Sequence, residues 1–228
     1  MRTRLALLVA PAAASALALV PASAAPPAPQ VTDPPGDANF TATAVEGGRE
    51  TGGVGNQAYA DVLSVTWAPV TTVTKVGKKK VAKVTAFTVE TKLSAAPTPP
   101  AGTTLVYRML GKPGDGLFVG PVYYTTKSSD PTIPQSALRD NVTGATRLTP
   151  IALPVIKDTT ITWTVPLSVL PKEIKPGTTL TDLYFEVNEI EDFRGAQIPA
   201  GVPTYGGAYG LGFGQVDDGS STASFKLG

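Results

Sequence analysis

Ala60-Asp61-Val62-Leu63-Ser64-Val65-Thr66-Trp67-Ala68 is the stretch that decides the fold. Leu63, Val65 and Trp67 alternate with Ser64, Thr66 and Ala68, and a period of two puts each set on its own side of an extended chain. This predicts a half-buried strand over Asp61–Val73. A turn at Lys75-Val76-Gly77-Lys78-Lys79-Lys80 follows, then a returning strand from Lys83 to Ser94, so the pair reads as a hairpin.

The same alternation recurs downstream. Strands are expected over Thr104–Leu110, Leu117–Thr126, Ala145–Val155, Thr159–Val165 and Leu180–Ile190, with a closing strand over Ser221–Leu227. Lys112-Pro113-Gly114-Asp115-Gly116 is a strong turn signal between two of them. Gln135–Arg139 and Pro166–Leu170 read as single helical turns. Thr41–Ala60 and Glu191–Gly219 read as long Gly-rich loops, a length that inside a domain is usually functional or disordered. About eight strands with almost no helical periodicity predict an all-β domain, a two-sheet antiparallel sandwich of jelly-roll or immunoglobulin-like type; a closed barrel is the second choice.

The N-terminus carries Arg2 and Arg4, an apolar run of 16 residues from Leu5 to Val20, and then Ala22-Ser23-Ala24. That order is a secretory signal peptide over residues 1–24, and the run is shorter than the ~20 residues of a spanning helix. Residues 25–30 are a Pro-rich flexible lead-in, and 31–228 form one domain. Without the leader, 17 basic residues face 18 acids, a net charge of −1. This argues against a nucleic-acid partner. No further apolar run predicts membrane insertion of the mature chain.

The chain has no Cys and no His. Disulfides, the Ser-His-Asp and Cys-His machineries and ordinary zinc sites are therefore excluded. Ser168 precedes Lys172 by four residues, which is not a Ser-x-x-Lys motif. Any catalysis would have to run on carboxylates, tyrosines or a hard metal, a carboxylate-based glycan hydrolase being the distant reading.

Val31-Thr32-Asp33-Pro34-Pro35-Gly36-Asp37-Ala38-Asn39-Phe40 packs oxygen ligands around turn formers. Calcium takes six to eight oxygens on a chain that turns sharply, so Asp33, Asp37 and Asn39 are candidate ligands, with Asp61 closing the site across the Gly-rich loop. A plain turn uses the same residues. Glu186, Glu189, Glu191 and Asp192 form an acidic run at a strand end; a glycosidase needs such pairs, but a solvated strand end is the simpler reading. Lys75, Lys78, Lys79, Lys80 and Lys83 make a basic hairpin tip, read as a solvated turn that discourages edge pairing, with contact to an anionic cell-wall polymer as the alternative. Trp67 and Trp163 fall on the apolar sides of their strands and are expected in the core. Tyr123, Tyr124, Tyr205 and Tyr209 are the candidate ligand-binding rings; adjacent Tyr123 and Tyr124 must point to opposite faces.

Asp33-Pro34-Pro35-Gly36-Asp37, Ala60-Asp61-Val62-Leu63-Ser64-Val65 and Ile161-Thr162-Trp163-Thr164-Val165-Pro166-Leu167 together resemble secreted actinobacterial β-sandwich proteins. These are similar to the glucodextranase C-terminal modules and the DOMON-like, family-9 carbohydrate-binding-like folds. The resemblance implies a calcium ion near the Asp-Pro-x-Gly-Asp loop and a role in binding sugars or the cell envelope. The chain departs from haem-binding DOMON members in lacking their His ligand. The expectation is thus a secreted, non-catalytic, calcium-stabilised sandwich that binds carbohydrate or cell-wall polymer. A structural or protein-interaction module of the extracellular space is the alternative.

Overall fold

The computed structural model describes residues 27–38, 41–42, 56–99, 103–128, 131–192 and 211–228. Among them are thirteen strands and no α-helix: β1 (Val31–Thr32), β2 (Thr41–Ala42), β3 (Val62–Val76), β4 (Lys79–Leu93), β5 (Thr103–Lys112), β6 (Val119–Tyr124), β7 (Ser136–Asp140), β8 (Arg147–Pro150), β9 (Val155–Lys157), β10 (Thr160–Pro166), β11 (Thr179–Asp192), β12 (Leu211–Ser221) and β13 (Phe225–Lys226). A single 3-10 turn, Leu167–Val169, follows β10.

Every pairing is antiparallel. The smaller sheet runs β1-β3-β4-β10-β9. The larger runs β2-β12-β11-β5-β6-β7-β8, with β13 added to the end of β11. Both are open sheets, and they form the expected β-sandwich.

The core lies between the inner faces. The smaller sheet contributes Val65, Trp67, Phe87, Val89, Ile161, Trp163 and Val165; the larger contributes Leu105, Tyr107, Met109, Leu138, Leu183, Phe185 and Val187. Trp67 and Trp163 are both within 1% of full burial. Trp67 stacks on Phe87 at 5.5 Å between ring centroids and meets Phe225 of β13 at 5.8 Å. Truncating such a ring to Ala costs about 3–5 kcal/mol. The β3–β4 register shifts twice, at Val62/Ser64 and at Val70/Thr71. A register shift between Val62 and Ser64 turns Val62 fully inward and leaves Leu63 half-buried.

Four local expectations are corrected. Gln135–Arg139 is not a helical turn: Ser136–Asp140 pairs on both sides with β6 and β8. Five residues cannot repay the cost of helix nucleation when two sheet edges offer ladder bonds. Ala145–Val155 is not one strand: Pro150 ends β8 in the larger sheet, and β9 begins at Val155 in the smaller one. Glu191–Gly219 is not all loop, because β11 runs on to Asp192 and β12 begins at Leu211. The hairpin between β3 and β4 does not open into a turn at Lys75: pairing continues to Val76↔Lys79, and only Gly77-Lys78 bridge it. Gly77 has φ +63° and Lys78 does not share that sign, the pattern of a two-residue II′ turn.

Gln30, placed in the lead-in, is tied to the sheet. The Trp67 amide donates to its Oε1 at 2.6 Å, and its Nε2 donates to the Trp67 carbonyl at 3.3 Å. Among the described residues no helix is long and apolar enough to cross a membrane.

Candidate functional site

The turn after β1 bends at Pro34-Pro35-Gly36, where Gly36 takes φ +93°, a region that disfavours L side chains. The bend sends Asp33 and Asp37 back to the same place. β12 pairs with β11 so that Val187 and Phe185 point into the core, and Asp217, opposite Val187, points the same way. The result is three carboxylates, Asp33, Asp37 and Asp217, each offering one oxygen within 4.8 Å of the others. Gly219 makes this approach possible. A Cβ there would meet a Phe185 ring carbon at 2.5 Å and Asp33 Oδ1 at 3.1 Å.

Asp61 stands beside this group and is fully buried. Its Oδ2 accepts from the Gly36 amide at 2.8 Å, from Ser94 Oγ at 2.6 Å and from Asn56 Nδ2 at 3.5 Å. Asp61 thus ties the Asp-Pro-Pro-Gly-Asp turn to the start of β3 and the end of β4. Asp217 is 5% exposed, and its Oδ2 accepts from the Val62 amide at 2.7 Å.

The charges are unbalanced. Burial, then Asp37, Asp61 and Asp218, push the Asp33 carboxyl up to about 6. Burial pushes Asp217 up to about 7; the Val62 amide opposes this, while Asp33, Asp37 and Asp61 add to it. Every charge acting on these two groups is another carboxylate. Asp33 Oδ2 and Asp61 Oδ1 are shut from solvent with no donor.

These features fit a hard cation. Calcium lies about 2.3–2.6 Å from its oxygens, so two ligands across one ion are at most about 5 Å apart, matching the three carboxylates. The cation would offset the crowded negative charge and engage the orphaned oxygens. Asp33, Asp37 and Asp217 would hold it, with Asp61 beside them. Asp217 was missed because its residue fell within an expected loop, 155 positions from Val62, the residue whose amide it accepts. Asn39 lies outside the described residues.

The tyrosine candidates divide. Tyr123 points into the core and is 8% exposed. Tyr124, on the opposite side of β6, is half-buried on the outer face of the larger sheet. Tyr205 and Tyr209 lie outside the described residues. Of the acidic run, Glu186 sits on that outer face and pairs with Arg108 at 3.1 Å. The backbones of Glu189 and Glu191 pair with Leu105 and Thr103, while their side chains, like that of Asp192, fall outside the described residues. The five hairpin lysines are all exposed. Beside Glu186, a groove of about 640 Å³ is lined by Tyr184, Asp218, Ser220 and Lys112 among others.

Searches of protein-family models, of curated proteins and of solved structures find no match to this chain.

Proposed function

We propose that this chain is a secreted, non-catalytic β-sandwich module, stabilised by calcium, that binds carbohydrate or the cell envelope. The observation that carries the reading is the meeting of Asp33, Asp37 and Asp217, with Asp33 Oδ2 and Asp61 Oδ1 buried and without donors. Asp33 and Asp37 in the turn after β1, Asp61 just before β3 and Asp217 on β12 crowd their carboxylates together, and a cation would join them. A cation there links the N-terminal segment to a strand near the C-terminus of the chain. Export is supported by the basic, apolar and small-residue order of the first 24 residues.

The carbohydrate reading is supported by the outer face of the larger sheet, where tyrosines stand among charged side chains beside an open groove. The lack of histidine, and the engagement of Glu186 by Arg108, support binding without bond cleavage. A protein-contact role is the second reading, favoured by one observation. Strand β9 is an open edge, and around it Leu153, Val155 and Ile156 are 59%, 69% and 43% exposed.

A thermal melt tests the metal. A ligand of the native state at a hundredfold excess over its Kd adds about 2.7 kcal/mol, which for a domain of this size is roughly 5–11 °C. Calcium is expected to raise the midpoint by that order and a chelator to lower it; an unchanged midpoint rejects the calcium claim. A panel of polysaccharides and purified cell wall tests the ligand, and silence across the panel rejects it.

A further inference from the structure

We propose that the outer face of the larger sheet is a binding site for an acidic glycan, seating the carboxylate of a uronic acid on Arg139 and Arg108 and the sugar on Tyr124 and Tyr184. The proposal rests on the carbohydrate reading above and specifies its ligand.

The register builds the face. Glu186 is opposite Arg108, Arg108 opposite Val122, and Val122 opposite Ala137. One row over, Tyr184 is opposite Leu110, and Gly120 opposite Arg139. On the other side, Asn188 is opposite Val106, and Val106 opposite Tyr124. Paired residues share a side of the sheet, so all of these stand away from the core. Val106, Leu110, Val122 and Ala137 are buried on this outer side, and Arg108, Tyr124, Arg139, Tyr184, Glu186 and Asn188 are half-buried among them. An apolar floor with a few convergent polar groups is the usual composition of a ligand site. Gly120, opposite Arg139, lets the β5 and β6 backbones approach closely; a Cβ there would run into the Met109 carbonyl.

The charge pattern selects the ligand. Arg108 has its carboxylate, Glu186, at 3.1 Å. Arg139 has none among the described residues; its guanidinium lies over the Phe118 ring at 5.0 Å. Burial, then the nearby Arg108, lower the Arg139 pKa, while Glu186, Tyr124 and Tyr184 oppose them. Two donors on the same face, Arg108 Nε and Asn188 Nδ2, are shut from solvent with no acceptor. A ligand with one negative charge supplies the carboxylate that the half-buried Arg139 lacks. A planar carboxylate matches the guanidinium fork, and a sugar ring packs on a tyrosine face. The groove beside Tyr184 and Glu186, about 640 Å³, continues the face for neighbouring sugar units. Asp218 and Asp182 border it and disfavour a densely charged chain such as a nucleic acid.

Calorimetric titration of the full protein with oligosaccharides carrying a single uronic acid on otherwise neutral units, with the same oligosaccharides methyl-esterified, and with a neutral glucan tests this at fixed calcium. The free acid is expected to bind at least about tenfold more tightly than the ester, since the ester lacks the charge that Arg139 reads. Arg139→Gln is expected to remove that difference without moving the melting midpoint, and Tyr184→Ala to weaken both forms. Lys79→Ala/Lys80→Ala in the exposed hairpin is expected to leave the difference intact. Equal affinity for acid and ester overturns the proposal, as does Arg139→Gln binding like the parent. Neutral glucan binding alone removes the acidic ligand and spares the broader carbohydrate reading. No binding to any of the three, with silence on the polysaccharide panel, removes both.

Discussion

Asp33 and Asp217 carry carboxyls that the folded chain, without metal, holds closer to neutral than the unfolded chain does. Their folded values, about 6 and about 7, stand above the ordinary 3.8. Between these limits the native state binds more protons than the unfolded one, so stability falls as pH rises from about 4 to about 7 and then levels. Melts in chelator should show the midpoint dropping across that window, and added calcium should lessen that drop. A midpoint that rises with pH in chelator would contradict the packing of these acids. Asp217→Asn should lower calcium affinity at least about tenfold, because a charged ligand is lost, yet raise the metal-free midpoint at pH 8 by relieving repulsion. Gly219→Ala should destabilise the fold by about 1–3 kcal/mol, as its methyl group meets the Phe185 ring and crowds Asp33. Chemical denaturation reads that value directly.

The β3–β4 ribbon is the element whose two ends differ most. At its base Trp67 pairs with Val89 and Val65 with Thr91, all buried between the sheets. Past Val70 and Ala86 the ribbon loses β10 as a neighbour, since that strand ends at Pro166 opposite Ala86. From there Val73, Val76 and Val81 are 56%, 64% and 45% exposed, among five lysines and no acid. A two-stranded hairpin is marginally stable in water. Amide exchange at Thr71–Val76 and Lys79–Ala82 should therefore outpace exchange at Phe87–Thr91 by about two orders of magnitude or more, through local opening. Equal protection along the ribbon would mean that something covers its tip.

The whole molecule closes two open sheets over one core, and the acid cluster sits where the ends of that closure meet. β1 belongs to the smaller sheet and β12 to the larger, and Asp33 follows the first while Asp217 lies on the second. The two layers are tied at this edge by the Val62 amide, which donates to Asp217, beside the converging carboxylates. Calcium should therefore sharpen and raise a single unfolding transition followed by tryptophan fluorescence, since both indoles report the shared core. Two separated transitions would show that the sheets unfold independently.

Alternation of side chains by itself determined the extended segments, the placing of Trp67 and Trp163 inside, and the opposite facing of Tyr123 and Tyr124. A period of two is local geometry, written in consecutive residues. Turn formers did the same for Asp33 and Asp37, whose Pro-Pro-Gly spacing forces a bend. Where neighbouring strands overrule local preference, the sequence misled: Ser136–Asp140 is a strand only because β6 and β8 flank it, and Pro150 and Val155 separate only because the chain crosses between sheets there. Only the tertiary structure brought Asp217 to Asp33, and Arg139 to Arg108 and Tyr184. Those meetings depend on strand order and register, which are set by how two whole sheets bury their faces together and not by any residue's immediate neighbours.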